Sequence, residues 1–166
     1  TGSGIINQNS EVAVYEGNIS GLKSIQAVSS VPVKNQPIGS ISYQGEGIIR
    51  VTLEATNRPS KTIQSFASTN MNIDFTTKNG TLYVSSVDGK STAQVDVNVL
   101  SSSWLSGSGT FTSESQTYCV GLCIGGYNSN DISEASTFVG TLTGSNGEGA
   151  MGTLMGNRHE IGITLE

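Results

Sequence analysis

The chain has 166 residues, eight lysines and arginines against thirteen acids, and a formal net charge of −5. Ser, Thr, Asn and Gly supply 76 of the 166 residues, 35% is hydrophobic and 13% charged, which is too apolar and too weakly charged for a disordered chain and suits one domain of strands and turns. So few cations exclude a broad nucleic-acid-binding face, one histidine and two cysteines leave little for a metal centre, and no apolar run approaches the length of a membrane-spanning helix.

Thr1-Gly2-Ser3-Gly4 is neither an initiator methionine nor a signal peptide and reads as the start of a trimmed or mature chain; Leu165-Glu166 is compatible with appended vector residues. Within residues 1–38, Val12, Val14, Leu22, Ile25 and Val28 suggest two short strands or a strand and a turn, and Pro32 and Pro37 bracket a linker. From there strict alternation takes over. Ile49, Val51, Leu53 and Ala55 alternate with Arg50, Thr52, Glu54 and Thr56, and Met71, Ile73 and Phe75 with Asn72 and Asp74. Lys78-Asn79-Gly80 predicts a tight hairpin on its Asn-Gly pair. Leu82 and Val84 follow on one face with Tyr83 and Ser85 on the other; Asp88-Gly89 turns the chain into Val95, Val97 and Val99.

The next strand covers Trp104 to Thr112, loosened by Gly107 and Gly109. Residues 114–135 form a long irregular excursion. Phe138, Gly140 and Leu142 begin another strand, Gly144-Ser145-Asn146-Gly147 turns it, Ala150 to Leu154 returns, Gly156-Asn157 turns again, and His159, Ile161 and Ile163 close the chain on one face. Residues 41–166 thus hold eight strands joined mostly by hairpins. The expected fold is all-β: an eight-stranded antiparallel up-and-down barrel over 39–166, preceded by a short strand element and linker over 1–38. Closure removes exposed edges.

Cys119 and Cys123 enclose Val-Gly-Leu beside Gly121, Gly125 and Gly126. A small disulfide loop is the better reading and would imply an oxidising compartment; two reduced thiols are the alternative. The spacing departs from a redox Cys-x-x-Cys. Tyr118, Leu122, Ile124, Tyr127 and Asn128 flank this Gly-rich loop, and apolar and aromatic residues on a loop mark a candidate binding surface; packing back on the barrel mouth is the competing reading.

Catalysis finds little support. Nucleophilic chemistry needs a base beside the nucleophile, and the single histidine, His159, reads as a hydrogen-bonded strand residue. No Gly-x-Ser-x-Gly elbow occurs, and the acids are scattered rather than paired for glycoside hydrolysis. Asn128, Asn130, Asp131 and Glu134 carry oxygens for calcium, but their spacing misses the calcium-loop pattern. No catalytic residue, metal or cofactor is expected.

The stretch from Met71 to Leu82, with Asp74-Phe75, Lys78 and Gly80, resembles a hairpin in the barrels of transferrin-binding protein B and meningococcal factor H binding protein. The Gly-rich stretch from Phe138 to Leu154 is similar to a second hairpin of those barrels, with Gly147 where that family often has Ala and Ala150-Met151 ahead of the last Gly. His159-Glu160-Ile161-Gly162-Ile163 resembles the closing strand, and Val12-Ala13-Val14-Tyr15 with Leu22 the strand ahead of the barrel. The resemblance is clear over 70–163 and loose over 11–56. It implies a barrel carried by surface lipoproteins or secreted proteins of Gram-negative bacteria, which reach the outside through an outer-membrane translocator and bind a host protein or support colonisation, with no enzymatic activity. A lipid anchor would then sit on a cysteine preceding Thr1. Fold motifs do not carry the ligand across, so the loops are expected to bind a host protein or glycan. A haem carrier using His159, Tyr15, Tyr43, Tyr83, Tyr118 or Tyr127 as axial ligand, and a structural pilus-type subunit, are the alternatives.

Overall fold

The computed structural model describes residues 2–6, 13–17, 25–29, 33–55, 58–101, 103–115, 117–118, 127–128 and 130–166. Its strands in chain order are β1 (Gly2–Ile6), β2 (Ala13–Gly17), β3 (Ile25–Ser29), β4 (Ser40–Ala55), β5 (Arg58–Asp74), β6 (Asn79–Ser86), β7 (Ser91–Val99), β8 (Trp104–Ser113), β9 (Thr117–Tyr118), β10 (Tyr127–Asn128), β11 (Ile132–Thr143), β12 (Gly149–Met155) and β13 (His159–Leu165). Eight of them close into an antiparallel barrel in the order β11-β12-β13-β4-β5-β6-β7-β8, and β8 pairs back onto β11. The barrel therefore presents no open edge to a second chain.

Period-two alternation sorts the walls. Ile49, Val51, Leu53, Met71, Ile73, Phe75, Leu82, Val84, Val95, Val97, Phe138, Leu142, Ile161 and Ile163 all point inward and are buried. The interior is a filled core, as an eight-stranded barrel allows. Two sequence expectations need correction. The Asn79-Gly80 turn is displaced: residues 75–78 make the loop, Lys78 takes the left-handed φ of 60°, and Asn79 already pairs with Asp74 inside β6. Asp74 Oδ1 accepts the Thr76 N–H at 2.8 Å, an Asx turn that competes successfully with the Asn-Gly signal. Gly80 is glycine for another reason, since a Cβ there would lie 2.2 Å from the Asn72 carbonyl oxygen. Gly107 and Gly109, read as loosening β8, do the opposite: Cβ atoms there would meet the Asp96 and Gln94 carbonyl oxygens at 2.4 and 1.9 Å, so the two strands approach closely.

Strand β5 runs 17 residues, far longer than its apolar stretch Met71-Ile73-Phe75 implied. Its middle alternates weakly because small or polar Ala67 and Thr69 face inward while Phe66 faces out and is 70% exposed. Residues 1–29 contribute three strands rather than the two at most expected, in the order β1-β2-β3. Strand β3 lies against β11 and β12. This contact accounts for β12, whose residues are buried on both faces: Met151 and Thr153, with Thr141 beside them on β11, point away from the barrel interior yet are at most 3% exposed.

The two barrel ends differ. At the first end, connections 75–78, 100–103 and 144–148 are covered by 33–39, the segment leading into β4. Val33 is buried and its N–H reaches Ser103 Oγ at 2.8 Å; the Lys34 and Asn35 N–H groups both donate to the Ser145 carbonyl; and Tyr43 donates its hydroxyl to the Gly147 carbonyl at 2.8 Å. Burial, reinforced by the charge of Glu148, pushes the Tyr43 phenol up to about 12, so it stays a donor at any physiological pH. The second end gathers the turns 87–90 and 156–158 and the described residues of the excursion between β8 and β11.

Candidate functional site

The second end carries the long excursion, and its base is fixed by backbone chemistry. The Glu114 N–H donates to the Lys90 carbonyl at 2.9 Å, and Asp131 Oδ1 accepts the Ser115 N–H at 2.7 Å, which ties the two ends of the excursion together. Above them β9 and β10 form a two-residue antiparallel ladder in which Tyr118 lies opposite Tyr127 and Thr117 opposite Asn128. The structure thus brings together three of the five residues singled out from the sequence, Tyr118, Tyr127 and Asn128, at the neck of the loop. Leu122, Ile124 and the Cys119–Cys123 pair lie outside the described residues. The neighbouring 87–90 turn is held by Asp88, whose carboxylate accepts Ser86 Oγ–H at 2.6 Å and the Lys90 N–H at 3.1 Å. The Ser86 bond first, then that of Lys90, hold its carboxyl below the ordinary carboxylate range.

Beneath this end lies a buried polar chain. His159 points into the barrel and is 1% exposed, stacked on Phe111 with ring centroids 4.1 Å apart. Its Nδ1 meets Glu134 Oε1 at 2.5 Å and its Nε2 meets Ser136 Oγ at 2.8 Å. With the Glu134 oxygen as acceptor, Nδ1 carries the proton and Nε2 accepts the Ser136 hydroxyl. Glu134 Oε1 also accepts the Arg158 N–H at 2.9 Å, and Arg158 Nη2 reaches Glu54 Oε2 at 3.3 Å. One carboxylate therefore ties β11 to the β12–β13 turn. Burial holds the His159 imidazolium below its usual range, and the Glu134 bond opposes that only in part.

The connectivity matches that of Ser-His-acid hydrolases, but the chemistry does not follow. Ser136 is 1% exposed and the Phe111 ring covers one face of the imidazole, so no substrate carbonyl can reach the hydroxyl. Both imidazole nitrogens are engaged, so His159 is not presented to a haem iron either. The oxygen donors weighed for calcium are separated by their commitments: Glu134 turns inward to His159 while Asp131 caps Ser115. Glu134 and Ser136 share the period-two face of Phe138 and Leu142, and that spacing places them inside.

No protein-family model and no curated protein sequence matches the chain. Solved structures do. A transferrin-binding protein B from Haemophilus parasuis Hp5, a vaccine antigen carrying a tryptophan-to-alanine substitution, matches with a TM-score of 0.53 and 12% identity over 99% of this chain and 34% of that one. The chain folds as a transferrin-binding protein B-like barrel. The isotype 1 transferrin-binding protein B of serogroup B Neisseria meningitidis is similar over 99% of this chain and 34% of its own, at 14% identity and a TM-score of 0.49. This chain spans about a third of the length of either solved chain.

Proposed function

We propose that this chain is a non-enzymatic bacterial protein that binds a host factor, and that the loop at the second end of the barrel makes the contact. The observation that carries the reading is the transferrin-binding protein B-like barrel, a fold whose solved example binds transferrin by name. The architecture supports it further. The interior is filled by side chains, so ligand contact falls to the outside and the ends. One end is sealed by 33–39, while the other sets its longest connection on a ladder anchored by Lys90 and Asp131. A rigid barrel presenting an aromatic, Gly-rich loop has the division of labour usual in binding scaffolds. The Cys119–Cys123 bridge belongs to the same proposal, as a clamp that limits the conformations the loop must lose on binding. So does location at the bacterial surface or in the medium, with export through an outer-membrane translocator and attachment by a lipid on a preceding cysteine.

The test is capture of host proteins on the immobilised chain, with transferrin as the first probe and host serum and mucosal fluid as the wider ones. The parent should retain a specific partner; the Tyr118→Ala/Leu122→Ala/Tyr127→Ala variant, melting within a few degrees of the parent, should lose it. Undiminished capture by that variant overturns the loop assignment, and absence of any specific host partner overturns the reading.

A further inference from the structure

The barrel wall formed by β5 and β6 lies across the barrel from the strands that β3 covers, and its outward residues Phe66, Ser68, Asn72 and Tyr83 are exposed among the described residues. Register places Gln44, Asn70, Tyr83 and Gln94 in one row across β4, β5, β6 and β7: Gln44 pairs with Asn70, Asn70 with Tyr83, and Tyr83 with Gln94. Side chains in one cross-strand row share a face. Tyr83 is 48% exposed, so its ring is offered to solvent rather than packed into the core. Along this row runs a shallow groove of about 280 Å³, bounded by Gln44, Ser68, Asn70 and Tyr83.

The Asn70 and Asn72 amides are ordered before any ligand arrives. Ser42 donates its hydroxyl to Asn72 Oδ1 at 2.5 Å, and Asn72 Nδ2 donates to Asn70 Oδ1 at 3.0 Å. This relay occupies the Asn70 carbonyl and leaves its two N–H donors for a partner. Among the described residues, the Gln44 amide and the Tyr83 hydroxyl engage no other side chain. Fixing polar groups in advance lowers the ordering cost of binding.

From this arrangement we propose that the outer wall around Tyr83 is a binding site for a neutral saccharide. An aromatic ring offers a flat apolar face to the C–H side of a pyranose, and flanking amides supply donors and acceptors to its ring hydroxyls. The volume lies just below the roughly 300–1,000 Å³ of small-ligand sites, which suits the end of an oligosaccharide rather than a whole enclosed ligand. The charge selects the class. The outward residues around this row include Glu46, Asp74 and Asp96, and no lysine or arginine faces out between Ser42 and Asp74 on β4's first half and β5's second half or along β6 and β7. A sialylated, sulfated or phosphorylated glycan would meet like charge, so a neutral one is preferred. The site is independent of the loop at the second end.

The test is heteronuclear NMR titration of the full chain with three neutral probes, cellohexaose, maltohexaose and a β-1,4-linked N-acetylglucosamine hexamer, and with a sulfated heparin hexasaccharide as the charged comparison. At least one neutral probe should bind at millimolar or tighter affinity and shift the amides of Gln44, Asn70 and Tyr83. Tyr83→Ala should weaken that binding at least tenfold, Tyr83→Trp should preserve it, and Tyr118→Ala/Tyr127→Ala should leave it unchanged. Three outcomes overturn the proposal: no neutral probe binds, the shifts fall at the second end instead, or Tyr83→Ala binds like the parent. Tighter binding of the heparin fragment at the same row overturns the assignment to neutral sugars.

Discussion

Gly152→Ala probes how the Gly-rich hairpin makes room for the buried Phe138 ring. Gly152 pairs with Gly140 across β11 and β12, and the Phe138 ring, fully buried, lies over both. An alanine Cβ at 152 would stand 2.4 Å from Phe138 Cε2 and 2.6 Å from the Val139 carbonyl oxygen. Carbon atoms are in contact at roughly 3.5–4.0 Å, so the ring would have to retreat by more than an ångström inside a close-packed core. The backbone oxygen cannot swing aside as a side-chain tip could. Overpacking of this kind costs about 1–3 kcal/mol, and a clash with both ring and backbone belongs at about 3 kcal/mol. At about 2–4 °C per kcal/mol for a chain of this size, Tm should fall by about 6–12 °C in a circular-dichroism melt. Adding Phe138→Leu should recover part of that loss, with a coupling of about 1 kcal/mol or more in the double-mutant cycle. A Gly152→Ala melt within about 2 °C of the parent, or strictly additive effects, would refute the argument that these glycines exist to seat Phe138.

Three further outcomes follow from single buried or strained groups. Thr69 is 4% exposed and its Oγ1 has no hydrogen-bond partner among the described residues, so Thr69→Val should raise the urea midpoint, by about 1 kcal/mol in stability; a loss of stability would mean the hydroxyl is satisfied after all. Lys78 holds a φ of 60°, so Lys78→Gly should stabilise by about 0.5–1 kcal/mol, read from the same denaturation curves, whereas Lys78→Val should destabilise. His159 is held neutral by burial, so its folded-state pKa lies below the ordinary value near 6.5. The unfolded chain then takes up the proton first: stability is full above about pH 6.5 and falls as pH drops from there toward the folded-state pKa. His159→Gln should flatten that part of the profile, and an unchanged profile in the variant would assign the acid sensitivity to other groups.

Much of this architecture was written in residue periodicity. The inward positions of β4, β6, β7 and β13 were legible because Ile, Leu and Val alternate with Ser, Thr, Asn and charged residues there. Strand β5 was half hidden because its inward Ala67 and Thr69 are small or polar while Phe66 faces solvent. The Asn79-Gly80 turn was misplaced because the Asp74 carboxylate caps the preceding residues and draws the bend four residues early. The double burial of β12 depends on β3, a contact between segments more than a hundred residues apart that no local pattern announces. At the candidate site, the aromatic and polar neck residues were legible as a loop flanked by tyrosines, but their pairing across β9 and β10 needed the register. Of the Glu134–His159–Ser136 chain, His159 was legible as a hydrogen-bonded residue on the face of Ile161 and Ile163, but its partners were not, because Glu134 was weighed only as an oxygen donor for calcium and not by the face it shares with Ser136.

The central claim is that the loop at the second end captures a host protein while the barrel serves as its rigid support. Surface-plasmon measurement of transferrin, and then of any partner recovered from host fluid, against the parent and the Tyr118→Ala/Leu122→Ala/Tyr127→Ala variant tests it directly. Saturable binding to the parent, with at least a tenfold loss in a variant of unchanged melting, is the predicted result. Equal affinity of the parent and the folded variant would contradict it.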